Sequence, residues 1–397
     1  MKSPKIVVTG MGIISAIGKD VEENFSALKQ AQSGIGTIEI LDTLHQQEFP
    51  AGEVKWKNAE IADFLQLPKK HHFTRAALLG AYAAKQALQQ ANLTSHLKDV
   101  GFVNGTSVGG MDKTEQLYHQ FKDHPDNFPF IEAQHPGFTT NEMANYLGIN
   151  GTVSTISTAC SSGANAIMMG ARLLKQKRLK QVLVGATDCL SKFTLNGFHS
   201  LRILSSELCQ PFDEQRKGLN LGEAAAYLVL ETEEEAHKRG QPILAYLESY
   251  ANANDAHHQT ASSATGEGSF LAMQEALNAA ELLPKQIDYI NAHGTATPNN
   301  DLSEGMAIQR LFEEIPRVSS TKAFTGHTLA AAGAIEAVYS ILSLQNQCVF
   351  PNLNLKEQMK DLKFSPHTTF TKQKVNYVLS NSFGFGGNCS SLIFSKA

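Results

Sequence analysis

The sequence is poor in charge, poor in cysteine and without long apolar runs. Only 18% of its 397 residues are charged and the formal net charge is −4. There is therefore no global basic field to hold nucleic acid. Five cysteines (Cys160, Cys189, Cys209, Cys348 and Cys389) form an odd, scattered set. Their spacing fits neither a metal site nor a disulfide framework and agrees with a reducing compartment. No apolar run approaches the ~20 residues that span a bilayer. The opening "MKSPKIVVTGMG" reads as a buried strand, not a signal peptide. These absences predict a cytoplasmic protein with no nucleic-acid or membrane partner.

What is present is a 42% hydrophobic chain, long enough for two ordinary domains or one large duplicated one. Short β-branched runs alternate with helical patterns. "KIVVTG", "DVGFVNG", "QVLVGATD", "AAYLVLE", "PILAYLESY", "IDYINAHG" and "VNYVLSNS" read as strands, mostly apolar on both faces, as in a covered sheet. "TRAALLGAYAAKQALQQAN" and "GEGSFLAMQEALNAAEL" read as helices, so the class is α/β. No low-complexity linker marks a seam; the charged helix of 231–242, ending at glycine and proline, comes nearest. "STACSSGANAIMMGARLLKQ" and "FTGHTLAAAGAIEAVYSILS" each set a reactive residue before a small-residue helix. They hint at duplication, or at two core helices that both use small residues. The near-fingerprint Gly10-x-Gly12-x-x-Ser15 lacks its third glycine and the acidic residue after the next strand, which excludes a dinucleotide. The basic run "KQKRLK" closes a helix, where cations complement the dipole.

Cys160 lies where an alternating run, "GTVSTI", gives way to a helix whose apolar face is Ala164, Ile167, Met168 and Ala171. Unpaired N–H groups and the macrodipole at a helix start favour an anion, so a thiol pKa is expected to fall there. The small neighbours leave room for a substrate. Two readings stay open on this stretch, a nucleophile or a buried structural thiol. Of fourteen histidines, most sit in polar contexts. His293, after "IDYINA", and His327, in "STKAFTGHTLAAAG", fall where strand yields to loop or helix, the usual place for site residues in α/β folds. A structural role is the alternative for each. Lys322, five residues before His327, is read as paired with Glu304, against an ordinary surface lysine. "NSFGFGGNCSS" is a glycine loop that lets backbone N–H groups approach a ligand, or a tight turn.

Taken in order, "VVTGMGIIS", "GTSVGG", "STACSSGA", "QPFDEQRKGLNLGEAAAYLVLE", "AHGTATPNNDLSE", "STKAFTGHTLAAAGAIEA" and "NSFGFGGN" resemble the motifs of the β-ketoacyl-[acyl-carrier-protein] synthases along essentially the whole chain. The resemblance implies a thiolase fold, a duplicated α/β unit with a five-layered α-β-α-β-α core. Residues 1–240 would carry the nucleophile and 241–397 the two histidines and the lysine. It implies Cys160 as nucleophile, His293 and His327 as the decarboxylation pair, Lys322 as the family's lysine and Glu304 as its carboxylate partner. The N–H groups of Cys160 and Phe385 would form the oxyanion hole, with Phe385 and Asp255 in the gating set. Thr295 and Thr297 would contact the pantetheine arm, and Val108 and Phe198 would line the acyl pocket. Lys69, Lys70, Arg75 and Arg202, with His71 and His72 nearby, would meet an acidic acyl carrier protein. No metal or organic cofactor is implied.

Several positions depart from the family. Asn388-Cys389 follows the glycines where "TN" is usual, Lys217 replaces an acid, Leu219 a phenylalanine, and Ala224-Ala225 "GA". These departures suggest specialised metabolism, or a divergent fatty-acid enzyme. Homodimer and heterodimer with a chain-length-factor-like subunit both stay open. A thiolase would need a second catalytic cysteine, and a non-catalytic partner subunit would lack Cys160.

Overall fold

The computed structural model describes residues 4–94 and 97–397; residues 1–3 of the opening stretch lie outside the described residues. Its strands are β1 (Ile6–Ser15), β2 (Gly101–Gly105), β3 (Val153–Ile156), β4 (Gln181–Asp188), β5 (Ala224–Thr232), β6 (Ala245–Asn254), β7 (Tyr289–Asn291), β8 (Arg317–Ser319), β9 (Cys348–Val349), β10 (Thr371–Lys372), β11 (Tyr377–Gly384) and β12 (Asn388–Ser395). Each run read as a strand overlaps one of them. β9 and β10 form a small ribbon, and the rest share one sheet in the order β3-β2-β4-β5-β1-β6-β12-β11-β7-β8.

That order is a repeat. β1 pairs antiparallel with β5, and β5 with β4, while β4–β2 and β2–β3 are parallel. β6 pairs antiparallel with β12, and β12 with β11, while β11–β7 and β7–β8 are parallel. The halves meet where β1 and β6 pair over three residues, Ile6 to Val8. Parallel strands need covered faces, and helices supply the cover. α1 (Arg75–Gln90) packs on β1, β4 and β5, and α3 (Glu267–Ala280) on β6 and β12. α2 (Ser162–Lys175), which follows β3, and α5 (Ala332–Asn346), which follows β8, lie between the halves and against each other. Outer helices, half-sheets and this central pair make five layers. α4 (Pro298–Leu311) packs on α3.

The small residues of the two reactive stretches have a packing cause. A Cβ on Gly163 would lie 2.7 Å from the Ala330 carbonyl oxygen and 2.9 Å from the Ala334 nitrogen. One on Gly333 would lie 2.9 Å from the Ala164 nitrogen. The helices touch backbone to backbone, which a side chain at either glycine would prevent. At Gly163 the room that the small residues suggested is taken by the neighbouring helix; beside Cys160 itself it is open. Gly10 and Gly12 serve likewise, since a Cβ on Gly12 would sit 2.1 Å from the Ala83 carbonyl oxygen of α1. Gly12→Ala is therefore expected to cost about 1–3 kcal/mol of stability by overpacking, measured as a shift in the urea midpoint.

Candidate active site

Cys160 is buried one residue ahead of Ser161, the N-cap of α2. The turn that delivers it is held locally. The Ser161 hydroxyl donates to the Thr158 carbonyl, the Ser162 hydroxyl to the Ala159 carbonyl, and the Thr158 N–H to Ser162 Oγ. Ala159 adopts a left-handed φ of 51°, unusual without glycine. A Cβ on Gly384 would approach the Cys160 nitrogen to 3.0 Å, so the glycine loop lies against the nucleophile. The Phe385 N–H and the N–H of Cys160 itself both reach the sulfur.

The thiol pKa corrects the sequence expectation. Burial dominates and pushes it up to about 11, although the Lys322 charge and the two N–H groups oppose this. Cys160 is therefore a neutral thiol at pH 7, because desolvation penalises an anion more than the helix start favours it.

The histidines come from the other half. His327 Nε2 lies 3.1 Å from Cys160 Sγ, and the His293 and His327 rings meet edge to face at 5.4 Å. Lys322 opens a one-turn helix, Lys322–Thr325. Its Nζ–H donates to His293 Nδ1 at 3.2 Å, and its ammonium pairs with Glu336 Oε1 at 2.5 Å. An ammonium only donates, so His293 Nδ1 is an acceptor and the proton sits on Nε2. The Leu329 N–H donates to His327 Nδ1 at 3.2 Å, which fixes the same tautomer. Burial, then the Lys322 charge, holds both imidazoles well below the usual histidine range. Both are therefore neutral Nε2–H donors at pH 7.

Glu304 is not the partner of Lys322. Its carboxylate accepts the N–H groups of His293 and Gly294 and the Asn381 amide, holding the histidine's backbone. Burial pushes it up to about 7. Glu336, also raised to about 7 by burial, takes the lysine, because α5 passes directly under it. Sequence reasoning missed Glu336; its signal was a single acid within the otherwise apolar run "AAAGAIEAVYSIL".

A cavity of about 380 Å³ joins Cys160, His293 and His327 and is lined also by Thr295, Thr297, Phe198 and Phe385. Thr295 and Thr297 share a hydroxyl contact of 2.9 Å. The Phe198 and Phe385 rings stack at 5.7 Å. Val108 is half-buried in the apolar cluster that includes Phe198 and Leu329.

The β-ketoacyl synthase N-terminal domain model matches residues 3–236, and the C-terminal domain model residues 244–356. This chain belongs to the β-ketoacyl synthase family. It is a condensing enzyme of the acyltransferase class. It is 34% identical to the 3-oxoacyl-[acyl-carrier-protein] synthase 2 of Staphylococcus aureus, over 100% of this chain and 99% of that one. It is equally close to the Vibrio harveyi enzyme of the same name, with the same coverage. Among solved structures, the ishigamide ketosynthase/chain length factor superposes with a TM-score of 0.91 at 29% identity, covering 100% of both chains. The ketosynthase ApeO, solved with its chain length factor ApeC from Xenorhabdus doucetiae, gives 0.87 at 31%, covering 99% of this chain and 98% of that one.

One residue expected at the docking surface takes another part. Arg75 is buried, its guanidinium forked onto Glu223 at 2.6 and 2.8 Å and its remaining donors on Val54, Trp56 and Asn58. It has no donor left for a carrier protein. The Asp255 side chain lines the cavity but accepts from Ser263 and Gly268. Asp255 meets the Phe385 loop through its own N–H, bonded to the Gly387 carbonyl. Lys69, Lys70 and Arg202 are exposed, and Arg202 stands at the cavity wall. Among the described residues no group of side chains could hold a metal ion, and no helix is long and apolar enough to cross a membrane.

With its pKa at about 11, Cys160 should be alkylated by iodoacetamide about tenfold faster per unit of pH from about pH 7 to 10. Peptide mass spectrometry across that range checks the slope.

Proposed function

We propose that the chain is a 3-oxoacyl-[acyl-carrier-protein] synthase of fatty acid or type II polyketide synthesis, working by two half-reactions at one cavity. In the first, Cys160 Sγ attacks the thioester of an acyl carrier protein. The tetrahedral oxyanion accepts from the N–H groups of Cys160 and Phe385, which face the thiol in the resting site. The pantetheine sulfur leaves and takes up the proton that Cys160 gave, so no net proton is exchanged and a high thiol pKa is compatible with turnover. In the second, malonyl carrier protein enters and its carboxylate departs as carbon dioxide. The C–C bonding pair becomes an enolate whose oxygen accepts from the Nε2–H groups of His293 and His327. The enolate carbon attacks the acyl-Cys160 carbonyl, and the cysteine sulfur leaves and takes up one proton from solvent, which restores the neutral thiol. Covalent catalysis thus splits one hard step into two.

The observation that carries this reading is the pair of neutral Nε2–H donors, 5.4 Å apart between ring centres, beside a buried thiol. Thr295 and Thr297 are assigned to the pantetheine arm, and Val108 and Phe198 to the acyl chain. Phe385, stacked on Phe198, is assigned to gating. Residues 1–240 would supply the nucleophile and 241–397 the histidines and lysine. Exposed Arg202, with Lys69 and Lys70, is assigned to an acidic carrier protein. β3 ends the sheet with a half-buried edge, an open ladder suited to a second subunit. A homodimer uses it simply. The catalytic half of a heterodimer is favoured by the relatives solved as ketosynthase/chain length factor pairs. Five free cysteines suit the cytoplasm. A thiolase is disfavoured: Cys389 also lines the cavity, but it follows the glycines of the loop and its thiol faces Ser269, while it is His327 that meets Cys160 Sγ.

Incubation with acyl and malonyl carrier proteins should add the acyl mass to Cys160, then yield 3-oxoacyl carrier protein. Cys160→Ala should form no acyl-enzyme. His293→Ala and His327→Ala should each lower decarboxylation by about 100-fold or more. Transfer from coenzyme A without malonyl decarboxylation would contradict the reading.

A further inference from the structure

Asp188 ends β4 fully buried, and none of the roles above uses it. Every hydrogen bond it makes accepts from a neutral donor. The Thr106 hydroxyl donates at 2.6 Å, the Ser107 N–H at 3.0 Å and the Val108 N–H at 3.4 Å. From the other half of the chain the Ala330 N–H donates at 2.9 Å. These contacts lead to the reacting groups by two arms. In the first, the Ser107 hydroxyl donates to the Ala159 carbonyl at 3.1 Å, on the left-handed residue just ahead of Cys160. In the second, Ala330 follows Leu329, itself left-handed at φ 54°, whose N–H sets the His327 tautomer. Two of the non-glycine residues in this strained conformation around the site, the two that flank the thiol and His327, are thus tied to one carboxylate. Such backbone persists only where its surroundings over-determine it. All four partners donate, so the group must only accept. An asparagine would turn its NH₂ toward donors.

We propose that Asp188 is a positioning residue that holds the nucleophile turn and the His327 turn in register, so that Cys160 Sγ and His327 Nε2 stay in contact although they come from opposite halves. It touches no substrate. The inference rests on the condensing reading for its second readout alone, since thiol reactivity is measured without a carrier protein.

The test uses the full chain, with rates taken per folded molecule. The Asp188 charge itself raises the Cys160 pKa, so alkylation is compared at equal thiolate fraction from full pH profiles; on that basis Asp188→Asn is expected to slow both iodoacetamide alkylation of Cys160 and malonyl carrier protein decarboxylation by about tenfold or more. Ser107→Ala cuts only the first arm, so it should slow alkylation and leave decarboxylation unchanged, a split that general loosening would not give. Glu231→Gln is the control. This buried carboxylate binds Thr9 and Arg239 near the opposite end of β4, where it pairs with Gln181, and both rates should survive its loss. Unchanged rates in Asp188→Asn, or equal losses in Glu231→Gln, would overturn the proposal. If Asp188→Asn does not fold, Ser107→Ala decides: unaltered alkylation overturns it. A parent chain that alkylates normally but does not decarboxylate would refute the condensing reading, not this one.

Discussion

The site depends on an ammonium buried between a carboxylate and an imidazole. Lys322 is held by Glu336 and donates to His293 Nδ1. A charge in such a place is tolerable only when paired, and removing one partner of such a pair typically costs about 3–5 kcal/mol. What the pair provides is direction. The lysine occupies the histidine's acceptor nitrogen and sends the proton to Nε2, and burial, reinforced by the lysine's positive charge, keeps both imidazoles neutral. A neutral Nε2–H is a donor that stays in place as negative charge develops opposite it, the arrangement that stabilises an enolate without reorganisation.

The fold brings this donor pair to the thiol by a helix crossing. α2 carries Cys160 at its head, α5 follows His327, and Gly163 and Gly333 let the two backbones touch. The duplicated sheet sets the same βα junction of each half at one point, and neither half has the complete site. Buried carboxylates then fix the loops. Glu304 binds the backbone at His293, and Glu223 locks Arg75. The chain is short of surface charge but uses acids heavily inside.

Much of this was legible in the residues. Strands stood out because their apolar faces are doubled, and the nucleophile and histidines stood out as reactive groups among glycine and alanine. What the sequence hid was which buried charges meet. Lys322 could equally reach a carboxylate on α4 or on α5, and only the packing of α5 under the lysine decides for Glu336. Arg75 resembled a docking cation because it lies near Lys69 and Lys70, yet it begins a helix whose first turn faces inward. The thiol pKa was misjudged for a similar reason. A helix start is visible in sequence, whereas the burial that outweighs it is not.

The central claim concerns two protons, and ¹⁵N NMR of histidine-labelled protein observes them directly, with His293→Gln and His327→Gln to assign the signals. The account predicts that both residues carry the proton on Nε2 with Nδ1 bare, and that neither titrates between about pH 8 and 6. A proton on Nδ1 of either ring, or a titration near 6.5, would contradict it.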